Sequence, residues 1–414
     1  MTASTERSAN PGVHGEQGAR RRERTARMAV VGMSTSDTCG VRDHATMLSD
    51  GLERENVQCS MHWLDRSQPT YAGARAEISS WAQKLAGDLR NDPPDALLLH
   101  YSVFAHSHRG LPVFVAPMVS ALRESRIPLI SFLHEFAFRQ RGRFGLNGAV
   151  WSLSQRAALF EVMRASTAAV ATVQERADWL ASRVWLPRRP LAVAPVFSTL
   201  PPPTGEPRGE REGPLVGLFG YSCRPALASL VLDAVALLRE RGLSLRLLLL
   251  GAPGAQSEVG EMWRSGARSR GIAQALCFSG TVSAQELSDM LAGCDLLLFV
   301  DRPGPTSRKT TLAGSLASGT AVVAIDGPAA WPQLVQARAA ELTQPRPDAL
   351  ATAIETLLCE EGAREALAAR GRAFAEQSMG VALSAEIVAG LLDYILDAAS
   401  PVGRPDSHAA RATP

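Results

Sequence analysis

The residues of this 414-residue chain best placed to do chemistry are gathered between positions 301 and 311. There Asp301-Arg302-Pro303-Gly304-Pro305-Thr306-Ser307-Arg308-Lys309-Thr310-Thr311 joins an apolar run to a helical pattern. Pro and Gly end the run, Thr306 or Ser307 can cap a helix starting near Ser307, and Arg308 and Lys309 then stand in its first turn. Two cations at the positive end of a helix oppose its dipole, at a cost of a few tenths to about 1 kcal/mol. An anion sharing the site reverses that cost, so the pattern asks for a diphosphate; a solvated basic turn is the plainer alternative. Arg224, after Phe219-Gly220-Tyr221-Ser222-Cys223, stands at the matching place earlier in the second half, as a second phosphate clamp or as an exposed arginine at a helix start.

The first half supplies hydrogen-bonding groups at strand ends. Leu97-Leu98-Leu99-His100-Tyr101 and Ile130-Ser131-Phe132-Leu133-His134-Glu135 are apolar runs ending in histidine, and the carboxyl ends of parallel strands are where such sheets carry their sites. His134-Glu135 is a pair suited to sugar hydroxyls. A lone histidine there is more often a cap, but two on neighbouring strands favour a site. His100, Tyr101 and Arg109 are expected on the acceptor side; for His106, His108 and Arg109, in the loop after Tyr101, plain surface is the alternative. The same choice holds for Arg139, Arg141 and Arg143, which could meet an anionic acceptor. Ser34 to Val41 is a small-residue loop leading into a helix, where backbone N–H groups can meet phosphate and Gly40 lets a ligand come close. It lacks the P-loop Gly-Lys-Ser/Thr and a full dinucleotide fingerprint.

The elements that must position these residues alternate short apolar runs with longer helical patterns, the rhythm of parallel sheets wrapped by helices. In the first half, strands are expected over 28–33, 57–64, 96–100, 128–133 and 168–173, with helices over 41–54, 73–89, 111–123, 149–164 and 174–182. In the second, strands are expected over 215–219, 243–250, 275–279, 295–300 and 321–325. The helices there end near 240, cover 259–268, 284–291 and 307–318, and follow Pro347. Right-handed crossovers make each half a doubly wound sheet, the two facing each other across a cleft. The expected organisation is a disordered basic leader over 1–27, an acceptor-side domain over 28–196, a linker over 197–213 rich in Pro and Gly, and a nucleotide-sugar domain over 214–378. A C-terminal helix over 379–399, able to pack back on the first domain, and a loose tail over 400–414 complete it.

Charged residues are 20% of the chain and the net charge is +2, a balance that argues against a dedicated nucleic-acid binder. Lys84 and Lys309 are the only lysines. Six scattered cysteines form no CxxC pair and no Cys/His run at metal-ligand spacing, which points to buried, reduced thiols in a cytoplasmic protein and to no metal. No segment reads as the roughly 20 apolar residues that span a bilayer. Peripheral contact at the cytoplasmic face of a membrane stays open.

The chain resembles the GT-B retaining glycosyltransferases of family 4 (glycosyl transferase group 1). The resemblance rests on Thr38-Cys39-Gly40-Val41-Arg42-Asp43-His44, on His134-Glu135, on Phe278-Ser279-Gly280-Thr281-Val282 followed by Glu286-Leu287, on Cys294 to Phe299, and on Ser318-Gly319-Thr320-Ala321-Val322-Val323-Ala324. It implies two Rossmann-like α/β domains, with Gly40 near the donor phosphates, His134 and Glu135 at the transferred sugar, Arg224 on phosphate and Gly280, Thr281 and Val282 along the nucleobase. Thr306, Ser307, Arg308, Lys309 and Thr310 complete the donor site, as in variant members with a Gly-Pro-Ser/Thr-Ser-Arg-Lys loop. It further implies no cofactor beyond a nucleoside-diphosphate-sugar as co-substrate, no metal, and an acceptor that is a saccharide, a lipid-linked sugar or a small molecule. Such enzymes build polysaccharides or glycoconjugates. The sequence departs from the family where two glutamates are usual: Thr306 and Gly314 stand there. A fold kept without turnover, serving as a binding or regulatory partner, is therefore the second reading, and a sugar-nucleotide epimerase the third.

Overall fold

A computed structural model describes residues 25–35, 39–68, 70–105, 115–137, 145–205, 213–221 and 223–399. The uninterrupted apolar runs become strands buried on both faces; Ala96–Ser102, for instance, is buried at every residue. The first sheet holds β1 (Ala26–Ser34), β2 (Val57–Asp65), β3 (Ala96–Ser102), β4 (Leu129–Glu135), β5 (Ala168–Ala171) and β6 (Leu191–Val193), in the order β2-β1-β3-β4-β5-β6. The second holds β7 (Leu215–Phe219), β8 (Arg246–Leu250), β9 (Leu276–Gly280), β10 (Leu296–Phe299), β11 (Val322–Ile325) and β12 (Glu341–Thr343), in the order β12-β11-β10-β7-β8-β9. Every pairing in both sheets is parallel.

Helices fill the crossovers: α1 (Gly40–Arg54), α2 (Tyr71–Asn91), α3 (Val115–Glu124), α4 (Gly145–Ala165) and α5 (Gln174–Ala181) in the first domain; α6 (Pro225–Glu240), α7 (Glu258–Ser269), α8 (Ala284–Ala292), α9 (Thr310–Ala317), α10 (Pro332–Ala337), α11 (Pro347–Cys359) and α12 (Glu361–Ser378) in the second; and α13 (Val381–Ala399) at the end. Their starts follow side-chain chemistry. Thr70 and Ser257 cap α2 and α7, and Ser283 with Glu286 forms a reciprocal capping box on α8.

Three short elements, β6, β12 and α10, were not expected from the sequence, being too brief to show a period. The helix expected from Ser307 begins instead at Thr310, with Lys309 as its N-cap residue in extended conformation. Thr306 and Ser307 therefore cap nothing: the Thr306 hydroxyl is buried without a hydrogen-bond partner, and Ser307 Oγ donates across the cleft to the Thr172 carbonyl at 2.8 Å. Arg27, expected in the leader, is a β1 residue whose guanidinium meets Asp92 at 2.5 Å. Residues 1–24, 106–114, 138–144, 206–212 and 400–414, which include Arg109 and the arginines at 139, 141 and 143, lie outside the described residues.

The cysteines are less buried than expected. Only Cys294 is fully covered, Cys359 is exposed, and none of the six is joined in a disulfide. The C-terminal stretch Glu361–Ala398 also corrects the sequence reading, since it contains an 18-residue window of mean hydropathy 1.7, long and apolar enough to cross a membrane by length and composition. Its apolar side is occupied: Ala385, Val388, Leu392 and Ile395 of α13 are buried with Leu48 and Leu52 of α1 and the upper face of the first sheet. Exposed Glu386, Gly390, Tyr394 and Asp397 form the opposite face at helical spacing.

Candidate functional site

In doubly wound sheets a crevice opens where the strand order reverses, outside the carboxyl ends of the strands. Here the reversals fall between β1 and β3 and between β7 and β10, and each carries a cavity. The larger, about 360 Å³, is lined by Ser34, Gly40, His44, Ser102, His134, Glu135 and Thr172 from the first domain, and by Arg308 and Thr310 from the second. The smaller, about 170 Å³, is lined by Gly220, Arg224, Asp301, Arg302, Lys309 and Thr311, all second-domain residues. The extended backbone at Lys309 sends successive side chains of this segment to opposite sides, so Arg308 and Thr310 face the first cavity while Lys309 and Thr311 face the second. The two cations expected to share one diphosphate are thus separated.

The smaller cavity is cationic and sits at two helix starts. Arg224 is the N-cap residue of α6 and Lys309 that of α9, so both helix starts border it; α6 opens on Pro225, which has no N–H, and its Leu227 N–H is bonded to the Arg224 carbonyl, so the free N–H groups are chiefly those of α9. Arg224 and Arg302 are exposed and have no carboxylate partner among the described residues. Lys309 is paired with Asp301, Nζ to Oδ2 at 2.9 Å. Gly220 lets the end of β7 lie close against the start of α9: its φ is +77°, and a Cβ there would lie 2.7 Å from Thr311 Cγ2.

In the larger cavity Glu135 is shared by two arginines from two domains. Arg308 reaches Oε1 at 2.8 Å and Arg176, in the first turn of α5, reaches Oε2 at 2.6 Å while also donating to the His134 carbonyl. Arg308 is therefore committed to a carboxylate, and Glu135 is oriented by two cations. Arg176 was missed in the sequence, although it follows a strand end by the same rule that selected His134. His134 is joined by His100, Nε2 to Nδ1 at 3.0 Å, and by His44 of α1, which stacks on Phe197 with ring centroids 4.3 Å apart. Burial pulls His134 down to about 3, helped by the nearby Arg176 charge, and holds His44 and His100 well below the usual histidine range. All three are neutral imidazoles at physiological pH. Tyr101 is not at the cleft. Alternation along β3 turns it to the face opposite His100, where it is 1% exposed in the core with α2 and α3.

Gly40 begins α1 and lines the larger cavity, with open space where a Cβ would stand. Gly280 ends β9 and Thr281 and Val282 follow it, at the carboxyl edge of the second sheet, but they do not line the smaller cavity. Gly314, where the resemblance places a glutamate, is buried in α9. A Cβ on it would come within 3.2 Å of Phe219 and 3.4 Å of Leu200, so those two side chains fill the space a longer residue would need.

Residues 215–360 match the family model described as Glycosyl transferases group 1, over the part of the chain that holds Arg224 and the 301–311 loop. No curated protein sequence matches the chain. Among solved structures, HepE from Anabaena in complex with UDP-glucose superposes with a TM-score of 0.64 at 15% identity, covering 88% of this chain and 99% of that one. Sucrose-phosphate synthase from Thermosynechococcus elongatus gives 0.63 at 13% identity, over 91% and 100% of the two chains. The α,α-trehalose 6-phosphate synthase of Burkholderia multivorans gives 0.62 at 15%, over 92% and 99%. The fold is GT-B. In this GT-B chain the domains meet through Arg308–Glu135, Ser307–Thr172 and the bond from Val196 N–H to the Ser307 carbonyl at 2.9 Å, so the 306–310 loop is the main bridge across the cleft.

Proposed function

We propose that the chain is a glycosyltransferase that moves a sugar from a nucleoside-diphosphate-sugar to an acceptor hydroxyl with retained configuration. The observation that carries this reading is the smaller cavity, where two helix N-termini, Arg224 and Arg302 converge while the carboxylate in its lining, Asp301, is taken up by Lys309. A diphosphate there would be held by backbone N–H groups and two cations, and Lys309 could leave Asp301 for it. The sugar would then extend past Thr310 into the larger cavity, where neutral His134 accepts or donates a hydrogen bond to a hydroxyl. In the transfer, the bond from the anomeric carbon to the phosphate oxygen breaks, the bond to the acceptor oxygen forms on the same face, and the acceptor proton passes to the departing diphosphate. The charge developing on that diphosphate is met by Arg224 and Arg302, so no metal is required at the leaving group. HepE was solved with UDP-glucose, which makes uridine nucleotides the first donors to test.

A thermal-shift titration with UDP, GDP and ADP and their glucose conjugates tests the reading. A true ligand at about a hundred times its Kd adds about 2.7 kcal/mol of stability, and Arg224→Ala should remove that gain. If no nucleotide shifts the wild-type protein, donor chemistry is rejected. Thr306 and the filled space at Gly314 favour one alternative, a GT-B module that binds without transfer. Nucleotide binding with neither hydrolysis nor transfer across a panel of acceptors would identify it.

A further inference from the structure

The three histidines at the floor of the larger cavity come from positions 44, 100 and 134, and each offers a ring nitrogen within 4.8 Å of the other two. Two of these nitrogens, His100 Nδ1 and His134 Nε2, already face each other at 3.0 Å. Both nitrogens of His44 and Nε2 of His100 are buried with no hydrogen-bond partner, although His44 and His100 are only 1% and 2% exposed. A buried imidazole left without a partner loses the hydrogen bonds that water would have given it, so the fold keeps this arrangement against a penalty. Both His44 nitrogens and His100 Nε2 are closed to solvent, whereas His134 borders the larger cavity. In a tetrahedral site with bonds of about 2.0 Å the nitrogens stand about 3.3 Å apart. The His100–His134 spacing of 3.0 Å is near that value, and bringing His44 to it takes a shift of at most about 1.5 Å.

We propose that His44, His100 and His134 form a three-imidazole site for a divalent transition cation of the zinc class. An all-nitrogen set disfavours magnesium and calcium, which take oxygen ligands, and suits zinc, cobalt or nickel. Glu135 is divided between Arg176 and Arg308 and does not serve as a fourth ligand. The cavity borders the site at His44 and His134, which leaves the fourth position to water or a ligand hydroxyl. The cation would tie α1 to the ends of β3 and β4 and fix His134. This assignment does not use the diphosphate cavity, which is separate, but it shares His134 with the sugar contact proposed above, so metal binding is tested without nucleotide.

The test uses the full-length chain, stripped with chelator and titrated with zinc or cobalt(II) in the absence of nucleotide. One equivalent is expected to remain after gel filtration, cobalt is expected to give the intense visible spectrum of a four-coordinate site, and zinc is expected to raise Tm. His44→Phe, which keeps the ring stack on Phe197, and His100→Phe should each weaken zinc binding at least about a hundredfold, because loss of even an outer-shell partner costs about 10–100-fold. His62→Phe on β2, outside the cluster, should bind as the wild type does. Absence of binding at micromolar metal, or binding unchanged in both cluster variants, which would mark an adventitious ion only, overturns the proposal. Should the variants misfold, ¹⁵N-histidine NMR of the wild-type chain decides it: three of the eight histidines should shift with zinc, and a different set or none overturns the assignment.

Discussion

At the scale of single residues, glycine and cysteine give the plainest expectations. Gly220 adopts φ +77° with Thr311 packed against it, so Gly220→Ala adds both backbone strain and a clash. Urea unfolding should show a loss of about 1–3 kcal/mol, with weaker nucleoside diphosphate binding because the α9 start is pushed away. Burial raises the Cys59 and Cys223 thiols to about 11, against an ordinary value of 9.0. Since the thiolate is the nucleophile, only about one part in ten thousand of either is reactive at pH 7. Alkylation followed by mass spectrometry should therefore mark exposed Cys359 well before these two, with labelling of the pair accelerating as the pH rises toward 11. The chemistry of isolated residues was only partly legible in the sequence. His134, Glu135 and Arg224 stand at strand ends or helix starts, where parallel sheets put their sites. The partner of Arg308 could not be read, because Glu135 lies 173 positions away on the other domain.

At the scale of elements, legibility followed length. Strands such as β1, β3 and β4 are continuous apolar runs and read directly, whereas β6 and β12 have three residues each and show no period. Tyr101 was placed at the cleft with His100 although a strand turns neighbours to opposite faces, and that alternation alone would have excluded it. The start of α9 was placed three residues early because Thr306 and Ser307 are good caps; the tertiary contacts of the loop with Thr172 and Val196 outcompete that preference. The histidine cluster needs α1, β3 and β4 brought together, so spacing along the chain carries no trace of it. For α13 the burial pattern is decisive. Leu392→Ala should cost the first domain about 2–5 kcal/mol, while Tyr394→Ala on the opposite face should stay within about 0.5 kcal/mol, both measured by denaturant unfolding followed at the first domain's tryptophans.

At the scale of the whole molecule, one carboxylate joins the domains. Arg176 and Glu135 belong to the first and Arg308 to the second, and all three side chains are partly open to solvent, so screening keeps the energy of each pair modest. Glu135→Gln is expected to change thermal stability by less than about 1 kcal/mol yet to raise the radius of gyration seen by solution X-ray scattering, because it removes the charge that draws Arg308 across the cleft. An unchanged radius would show that the Ser307 and Val196 bonds suffice.

The polypeptide passes between the domains twice, once after Phe197 and once before α13, and the two passages touch: Ser384 Oγ donates to the Pro195 carbonyl at 3.0 Å. Side-by-side crossings act as paired pins on one edge. They leave the halves free to swing like a book about its spine, while sliding, twisting apart or exchanging a half with another copy would require both pins to give way together.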